Sequence, residues 1–330
     1  MKQYLLPKEG QFYKANFHCH TNISDGKHSP EEVKADYKAH GYSAVCFTDH
    51  EVLIGHEDLC DEQFVAIHGY EVAIKKDIAE HTGNFMPVYH FNLIAKRQDN
   101  LTAPMYYYDN PSYPGAAKKW RDKVQFTDTM DSYEYSVEWI NNYIKAVSER
   151  GFLVTYNHPQ WSMQNANDYL GLEHLFAIEV INGGCALAHY DNTSIHFEQM
   201  LRSGMNVRPV GGDDNHEQSD RFLAWTMIKA PALTYDALME AYEKGDCYVS
   251  EGPEILELYV EDGELVVRTS PAKQIILCGA GRYRKSATDT SEARFALHSS
   301  YLGDFFRIEV RDADGKQAFS RAYRLSELSL

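Results

Sequence analysis

The sequence predicts an α/β fold in which seven strands alternate mostly with helices, followed by a tail that contains strands alone. Short apolar runs bounded by turn residues recur between residues 13 and 210, and segments with helical spacing separate several of them. Beyond about Gly252 the helical segments stop, and Asp-Gly dipeptides separate pairs of strand-like runs. These observations favour a parallel α/β barrel or a doubly wound sheet, with a small β-sandwich after it.

The composition limits the class of protein. The 330 residues are enough for one large domain and one small domain, and the hydrophobic content of 44% is ordinary for a soluble protein. No run of about 18 apolar residues occurs and the first residues are too polar for a secretory signal, so we expect a cytoplasmic protein without a membrane partner. The formal net charge of -16 argues against a stable nucleic-acid partner. The scattered cysteines are expected to be reduced thiols.

The strands are predicted from apolar runs that end in turn residues. They cover residues 13–20, 43–47, 64–70, 88–95, 152–156, 176–181 and 206–210. The first two flank a predicted helix, which is the pattern of a parallel crossover unit. Because functional groups gather where parallel strands meet their following loops, polar residues just after these strands are the candidates for a site.

Three helices are predicted between the strands, over about residues 30–40, 134–150 and 192–203. Ser29 is the expected N-cap of the first helix, with Pro30 at its first position and Glu32 completing a capping box. Asp131 is the expected cap of the second helix.

Two regions depart from the alternation of strands and helices. Residues 97–130 contain three prolines, the tyrosines at 106–108 and Trp120. We expect this insertion to be a lid beside the site or, alternatively, a loop whose tyrosines pack against the barrel or form a subunit contact. The chain is therefore divided into a larger α/β domain over residues 1–250, which includes the insertion, and a β-sandwich domain over residues 251–330.

The strongest functional signal lies at the end of the first predicted strand. His18 and His20 are two residues apart, so an extended strand would place both imidazoles on one face, and Asp25 follows in a turn. Imidazoles and a carboxylate that converge are ligands for a divalent transition metal. Further histidines and acids at or near the ends of the later strands favour a ring of ligands, and hence a barrel: His50, Glu71, His90, His158, Asp213, Asp214 and His216.

In combination and order, these motifs resemble the PHP (polymerase and histidinol phosphatase) superfamily over residues 12–250. The motifs are His18-x-His20 with Ser24-Asp25-Gly26, Thr48-Asp49-His50, Glu71, His90, Asn157-His158-Pro159 and Gly212-Asp213-Asp214-Asn215-His216. The resemblance implies a distorted (β/α)7, TIM-like barrel of the PHP type. The β-rich tail is similar to a subgroup related to carbaryl hydrolase.

The resemblance also implies two or three divalent metal ions, which would be zinc, manganese or iron. Glu71 would bridge two of them, and Asp214 is preferred to Asp213 because of its Asp-x-His spacing to His216. Glu71 and Asp214 are the expected catalytic residues. The implied ligand sets are His18, His20, Glu71 and Asp214; Glu71, His90 and His158; and Asp25, His50 and His216.

The expected reaction is attack of metal-bound hydroxide on a small phosphorylated molecule at a dinuclear or trinuclear centre. Neither a Gly-x-Ser-x-Gly elbow nor a Walker loop is present, so a metal-dependent phosphoesterase is preferred. Arg208 and Arg221 are candidate contacts to the substrate phosphate because guanidinium groups bind phosphate bidentately. Asn182 is expected to touch the substrate or, like Glu179, to orient ligands.

Other functions remain open at this stage. The same metals could hydrolyse a carbamate, an ester or an amide, and a barrel without activity could serve as a metal-stabilised binding module. A nucleotide is one candidate substrate, because the aromatic side chains of the insertion could stack on a base and Lys118 or Lys119 could meet its phosphate.

Overall fold

A computed structural model describes residues 2–76, 86–111, 113–190, 194–298 and 300–328. Its strands fall within two residues of the seven predicted starts, although several end at different positions. In chain order they are β1 (Gln3–Tyr4), β2 (Gln11–Asn16), β3 (Ala44–Phe47), β4 (Val65–Lys75), β5 (Val88–Ala95), β6 (Thr102–Ala103), β7 (Gln125–Phe126), β8 (Phe152–Tyr156), β9 (Ala177–Asn182), β10 (Arg208–Gly212), β11 (Trp225–Ala230), β12 (Cys247–Ser250), β13 (Ile255–Glu261), β14 (Glu264–Gly279), β15 (Arg284–Ala296), β16 (Phe305–Arg311), β17 (Gln317–Ser320) and β18 (Tyr323–Arg324).

The α-helices lie between strands of the larger α/β region. They are α1 (Pro30–Ala39), α2 (Val137–Glu149), α3 (Ala166–Tyr169), α4 (Gly183–Leu187), α5 (Ile195–Arg202) and α6 (Tyr235–Lys244). The capping box of Ser29 and Glu32 is confirmed. The predicted cap of α2 is wrong, because the hydroxyl of Ser136, rather than Asp131, accepts a hydrogen bond from Trp139 N. Residues 192 and 193 of the predicted third helix lie outside the described residues. In the described part of the chain, no helix is long and apolar enough to cross a membrane.

The predicted strands lie side by side in one mixed sheet, in the order β2-β3-β4-β5-β8-β9-β10. The pairs β2–β3, β3–β4, β8–β9 and β9–β10 are parallel. Strand β5, the fourth of the seven predicted strands, runs the other way, since it pairs antiparallel with both β4 and β8. The expectation of a wholly parallel sheet is therefore wrong at β5.

The predicted barrel is not confirmed, because the sheet is not closed. Strand β11 pairs antiparallel with β2 over Thr226–Ala230 and occupies the edge that a closing strand would need. Strands β2 and β10 do not pair, and just beyond their ends Cys19 and Asn215 form an isolated bridge. There Asp214 N donates to His18 O at 2.9 Å.

The tail continues the same sheet. Strand β17 pairs antiparallel with β12, and β1 pairs with β13, so a separate β-sandwich is not confirmed. Both predicted hairpins are present, with β13 paired to β14 and β16 paired to β17. Asp262 and Gly263 have φ of 53° and 77°, the backbone that the tight turn between β13 and β14 requires. The tail has an apolar cluster of its own, which includes Leu258, Val267 and Ile308.

The insertion at 97–130 packs against the α/β part of the sheet. Tyr106 and Tyr113 are buried, and their hydroxyls donate to Glu51 O at 3.2 and 3.3 Å. The side chains of Lys118 and Lys119 are exposed. Two of the tyrosines therefore pack the insertion against the loop after β3, which was the alternative to a lid.

Candidate metal centre

All nine ligands that the sequence predicts lie in one cluster, which is just beyond the carboxyl ends of β2, β3, β8 and β10 and beside β4 and the amino end of β5. His18, His20 and Asp25 lie in the loop after β2, and His50 lies just after β3. Glu71 and His90 are within the paired strands β4 and β5. His158 follows β8, and Asp214 and His216 follow β10. The strands bring these residues together from positions that are distant in the sequence.

The deepest part of the cluster is formed by His18, His20, Glu71 and Asp214. The Nε2 atoms of the two histidines are 3.2 Å apart. Asp214 Oδ1 lies 3.2 Å from His18 Nε2 and 3.1 Å from His20 Nε2. Oxygen atoms of Glu71 lie 3.3 Å from each of the same nitrogens. These four side chains therefore point at one common centre.

Glu71 also faces His90 and His158. Its Oε1 atom lies 3.0 Å from His90 Nδ1 and 3.5 Å from His158 Nε2. Asn157 Nδ2 donates to the same oxygen at 2.7 Å. The carboxylate thus stands between two groups of imidazoles, as the implied bridge requires.

The third group, Asp25, His50 and His216, is shallower. Each histidine Nε2 lies 3.6 Å from an oxygen of Asp25, and the side chains of Asp25 and His216 are 36% exposed. His20 Nδ1 is 3.7 Å from Asp25 Oδ1, so His20 faces this group as well as the deep one. That second role of His20 was not predicted.

Glu179 contacts the side of His18 that faces away from the common centre of His18, His20, Glu71 and Asp214. Its Oε1 lies 3.0 Å from His18 Nδ1, and its Oε2 accepts from His158 N at 3.1 Å. Asn182 donates to Glu179 Oε2 at 2.9 Å and to Asp214 Oδ2 at 3.2 Å. A carboxylate on the far nitrogen of a histidine fixes the ring and directs the other nitrogen to the metal. Of the two predicted roles for Asn182, these contacts correspond to orienting ligands.

The loops that carry the ligands are fixed by neighbouring carboxylates. Asp49 accepts hydrogen bonds from the backbone and hydroxyl groups of Thr21 and Ser24, which shapes the loop between His20 and Asp25. Asp213 accepts from Tyr37 and from three backbone N–H groups at 222–224. Asp213 is thereby directed away from the cluster, and Asp214 enters it with a φ of 52°.

The pKa values reflect the mutual dependence of these charges. Burial disfavours a charged His20, but its hydrogen bonds to Asp214 and Glu71 raise its pKa to about 10. Burial likewise opposes ionisation of Glu71, yet the surrounding histidines hold its pKa well below the ordinary value. Burial lowers the pKa of His50 to about 3. Protons on some histidines therefore supply the positive charge that the carboxylates require.

The donor set fits a divalent metal centre. Two imidazole nitrogens that face each other at 3.2 Å can share at most one proton. His90 Nδ1 is buried, and its contact with Glu71 Oε1 at 3.0 Å lacks the geometry of a hydrogen bond. Bonds of about 2.0–2.1 Å in tetrahedral geometry place ligands about 3.3 Å apart, which matches the spacing of the deep group. A bound metal cation would accept the electron pairs of these nitrogen and oxygen atoms, which protons alone cannot all satisfy.

The cluster forms the floor of an open cavity of ≈ 510 Å³. Arg208 and Arg221 do not line this cavity. Arg221 is buried against Asp36, and Arg208 lies at the start of β10, over the ring of Phe176. The structure therefore does not bring either predicted phosphate contact to the metal cluster. No arginine or lysine lines this cavity within the described ranges.

The sequence match to known families agrees with this arrangement. The PHP domain family matches residues 16–206, which is more than half of the chain. The chain belongs to the PHP domain family. Membership in this family and the clustered donors together support a metal-dependent hydrolase with divalent metal ions.

Several solved structures are similar to the chain at low identity. A Bacteroides vulgatus two-domain protein containing a predicted PHP-like metal-dependent phosphoesterase is 15% identical over 98% of both chains, with a TM-score of 0.46. A candidate metal-dependent phosphoesterase from Bifidobacterium adolescentis is 15% identical over 65% of this chain and 90% of that chain (TM-score 0.37). A Chromobacterium violaceum amidohydrolase is 13% identical over 71% of this chain and 96% of that chain (TM-score 0.37). Comparison with curated proteins gives no match.

Proposed function

We propose that this chain is a phosphoesterase that holds two or three divalent metal ions and hydrolyses a small phosphorylated molecule. The observation that carries the proposal is the position of Glu71, whose carboxylate faces both groups of imidazoles within one cleft. One group is His18 and His20, and the other is His90 and His158. Centres with two adjacent metals serve phosphoester hydrolysis, because they lower the pKa of water and stabilise both the attacking and the leaving oxygen.

The residues of the chain would divide the work. His18, His20, Glu71 and Asp214 would hold one metal, His90 and His158 would complete a second with Glu71, and Asp25, His50 and His216 would hold a third. Glu179 and Asn182 would keep the deep ligands in place. Glu217 and Asp220 at the cavity wall add negative charge, so an anionic substrate depends on the metals for its attraction.

A second reaction is favoured by the absence of cationic side chains from the described cavity wall. A neutral carbamate, ester or amide needs no arginine or lysine, and the same metals can polarise its carbonyl. We keep this reaction as the alternative.

The division of the chain at about residue 250 is also part of the proposal. The apolar cluster of the tail includes few residues from the α/β part, mainly Leu5, Leu6 and Tyr248. None of the metal-binding groups found among the described residues includes a residue from the tail. We propose a metal-binding unit over 1–250 and a supporting β unit over 251–330, with no nucleic-acid partner.

A metal analysis combined with a substrate screen tests the proposed function. Purified protein is expected to contain at least two transition-metal ions per chain and to hydrolyse phosphomonoesters or cyclic phosphodiesters faster than carbamates. Removal of the metals with a chelator should stop the reaction, and re-addition should restore it. Faster turnover of carbamates than of every phosphoester would favour the alternative. Metal-loaded protein that hydrolyses no member of either class would contradict both.

A further inference from the structure

A second cavity, of ≈ 450 Å³, adjoins the metal cluster. It shares Asp25, His50 and His90 with the cluster, and most of the other side chains that line it among the described residues are apolar. These other side chains are those of Ala73, Lys75, Met86, Val88, Pro114, Trp161, Met163 and Tyr190. A group that leaves a substrate held at the metals would therefore enter apolar surroundings with one lysine at the side.

Trp161 stands at the border between the two cavities and lines both. Its ring centroid lies 5.4 Å from that of His90 and 5.0 Å from that of His158. The chain from His158 to Gln164 forms a compact turn, in which Ser162 N donates to His158 O at 3.1 Å and Gln164 N to Pro159 O at 3.0 Å. The indole is thus held at a fixed place beside the ligands.

The apolar side chains here are unusually exposed for their type. Trp161 and Met163 are each 43% exposed, and Leu187 in the metal cavity is 47% exposed. Grouped apolar exposure beside a polar site is typical of ligand binding, because it leaves surface to be covered by a partner of similar polarity.

The chemistry of the walls selects an aromatic group. An indole favours an aromatic partner in offset-stacked or edge-to-face contact, and a thioether such as that of Met163 contacts ring edges favourably. Pro114 and Val88 would add apolar contact without directional demands. A small alkyl group would leave most of this surface in water.

We propose that the second cavity is a subsite for an aromatic leaving group, with Trp161 and Met163 as its specificity-determining residues. This inference rests on the proposed function, since the metal cluster would hold the phosphoryl group of the same substrate. The preferred substrates are then aryl phosphoesters rather than alkyl phosphoesters.

Binding of two phosphonates to metal-loaded protein tests the subsite without turnover. Phenylphosphonate and methylphosphonate share the phosphonate group, so the ratio of their affinities, measured by calorimetry, reports on the ring alone. We expect a ratio of about tenfold in the native chain, close to one in Trp161→Ala and reduced about threefold in Met163→Ala. Leu170→Ala removes an exposed apolar side chain that lines neither cavity, and it should leave the ratio unchanged.

The metal content of each variant is measured in parallel, because Trp161 also packs against two ligand histidines. If Trp161→Ala loses metal, Met163→Ala decides: a lower ratio supports the subsite, and an unchanged ratio overturns it. A ratio near one in the native chain, or no binding of either phosphonate, also overturns it. Hydrolysis of phenyl phosphate and ethyl phosphate is assayed separately. Turnover of neither ester, nor of any other phosphoester in the screen, would contradict the proposed function, while the phosphonate ratio would still decide the subsite.

Discussion

Two of the places where the chain buries charged side chains differ in how the charges are balanced. In the tail, Arg307 is 1% exposed and its guanidinium donates to Glu309 at 2.6 Å and to Ser194 Oγ at 3.2 Å. Burial opposes ionisation of Glu309, but Arg307 keeps the pKa of that carboxyl below its ordinary value. This cluster is complete, since each charge has an opposite charge from the chain itself.

The metal cluster contains carboxylates and imidazoles without a lysine or arginine among its described members. Its carboxylates can be neutralised only by protons on histidines or by a cation from outside. The comparison indicates that the cluster in the tail stabilises the fold, whereas the cluster at the strand ends is arranged for metal ions. Variants of each cluster should therefore affect different properties.

The largest effect is expected from Glu71→Ala. Loss of the shared carboxylate should abolish turnover and remove at least one metal ion per chain, as measured by kinetics and by elemental analysis. Glu243→Ala, which removes an exposed glutamate paired with Lys96, should change neither property. Near-normal hydrolysis by Glu71→Ala would contradict a bridging role.

Arg307→Met should have the opposite effect to Glu71→Ala, lowering stability without removing metal. It removes the nearest positive charge from the buried Glu309, which keeps only Ser194 and the more distant Arg311 as partners. The free energy of unfolding should therefore fall by ~3–5 kcal/mol while the metal content stays the same. Arg311→Ala, on the same strand, removes a side chain that is 46% exposed and 3.6 Å from Glu309. That control should cost less than about 1 kcal/mol. Equal losses in urea unfolding experiments for the two variants would contradict the assigned role of Arg307.

Much of the metal cluster could be predicted from sequence because its signals are local. His18 and His20 follow a run with strand character, and a Thr-Asp-His or Asn-His-Pro motif marks the end of another strand. The spacing to His216 also identified Asp214, rather than Asp213, as the ligand. The structure shows why, because the carboxylate of Asp213 accepts hydrogen bonds from Tyr37 and from backbone N–H groups. Such short-range patterns survive folding, since the strand ends determine where the residues go.

The features that could not be predicted depend on pairing between distant segments. Strand β11 takes the edge of β2, which leaves the sheet open, and neither segment carries a local signal for that pairing. The location of Arg221 depended on a partner, Asp36, that lies far away in the sequence. Trp161 could have been noted for its place three residues after His158, but its exposure and its cavity appear only in three dimensions.

A smaller effect is expected from Glu179→Gln. The carboxylate contacts the far nitrogen of His18, and replacing it with an amide removes the charge that orients that ring. Metal affinity should fall about 10–100-fold, as for other partners of metal-bound histidines. Competition with a metal-sensitive dye measures this affinity, with Glu173→Gln as an exposed control. An unchanged affinity would show that His18 is positioned by its other neighbours.

The smallest effect concerns the stability of the metal-free chain between pH 7 and pH 9. The pKa of His20 is raised from 6.5 to about 10, and the pKa of His18 is also raised. In this window the folded chain keeps protons that the unfolded chain has lost, so the free energy of unfolding should fall as the pH rises. With metal bound, these histidines are neutral and their contribution to the fall should be lost. Buried thiols such as Cys46 and Cys247, whose pKa values are raised by burial, should still contribute to it.

Urea unfolding at several pH values, with chelator and with metal, measures the difference. The decline should persist in Arg307→Met, because neither Arg307 nor Glu309 gains or loses a proton in this window. It should weaken in His20→Asn, which removes one of the groups responsible. A decline of the same size with and without metal would show that the cluster does not rely on protonated histidines. The contrast between a cluster balanced by the chain and one balanced from outside would then be lost.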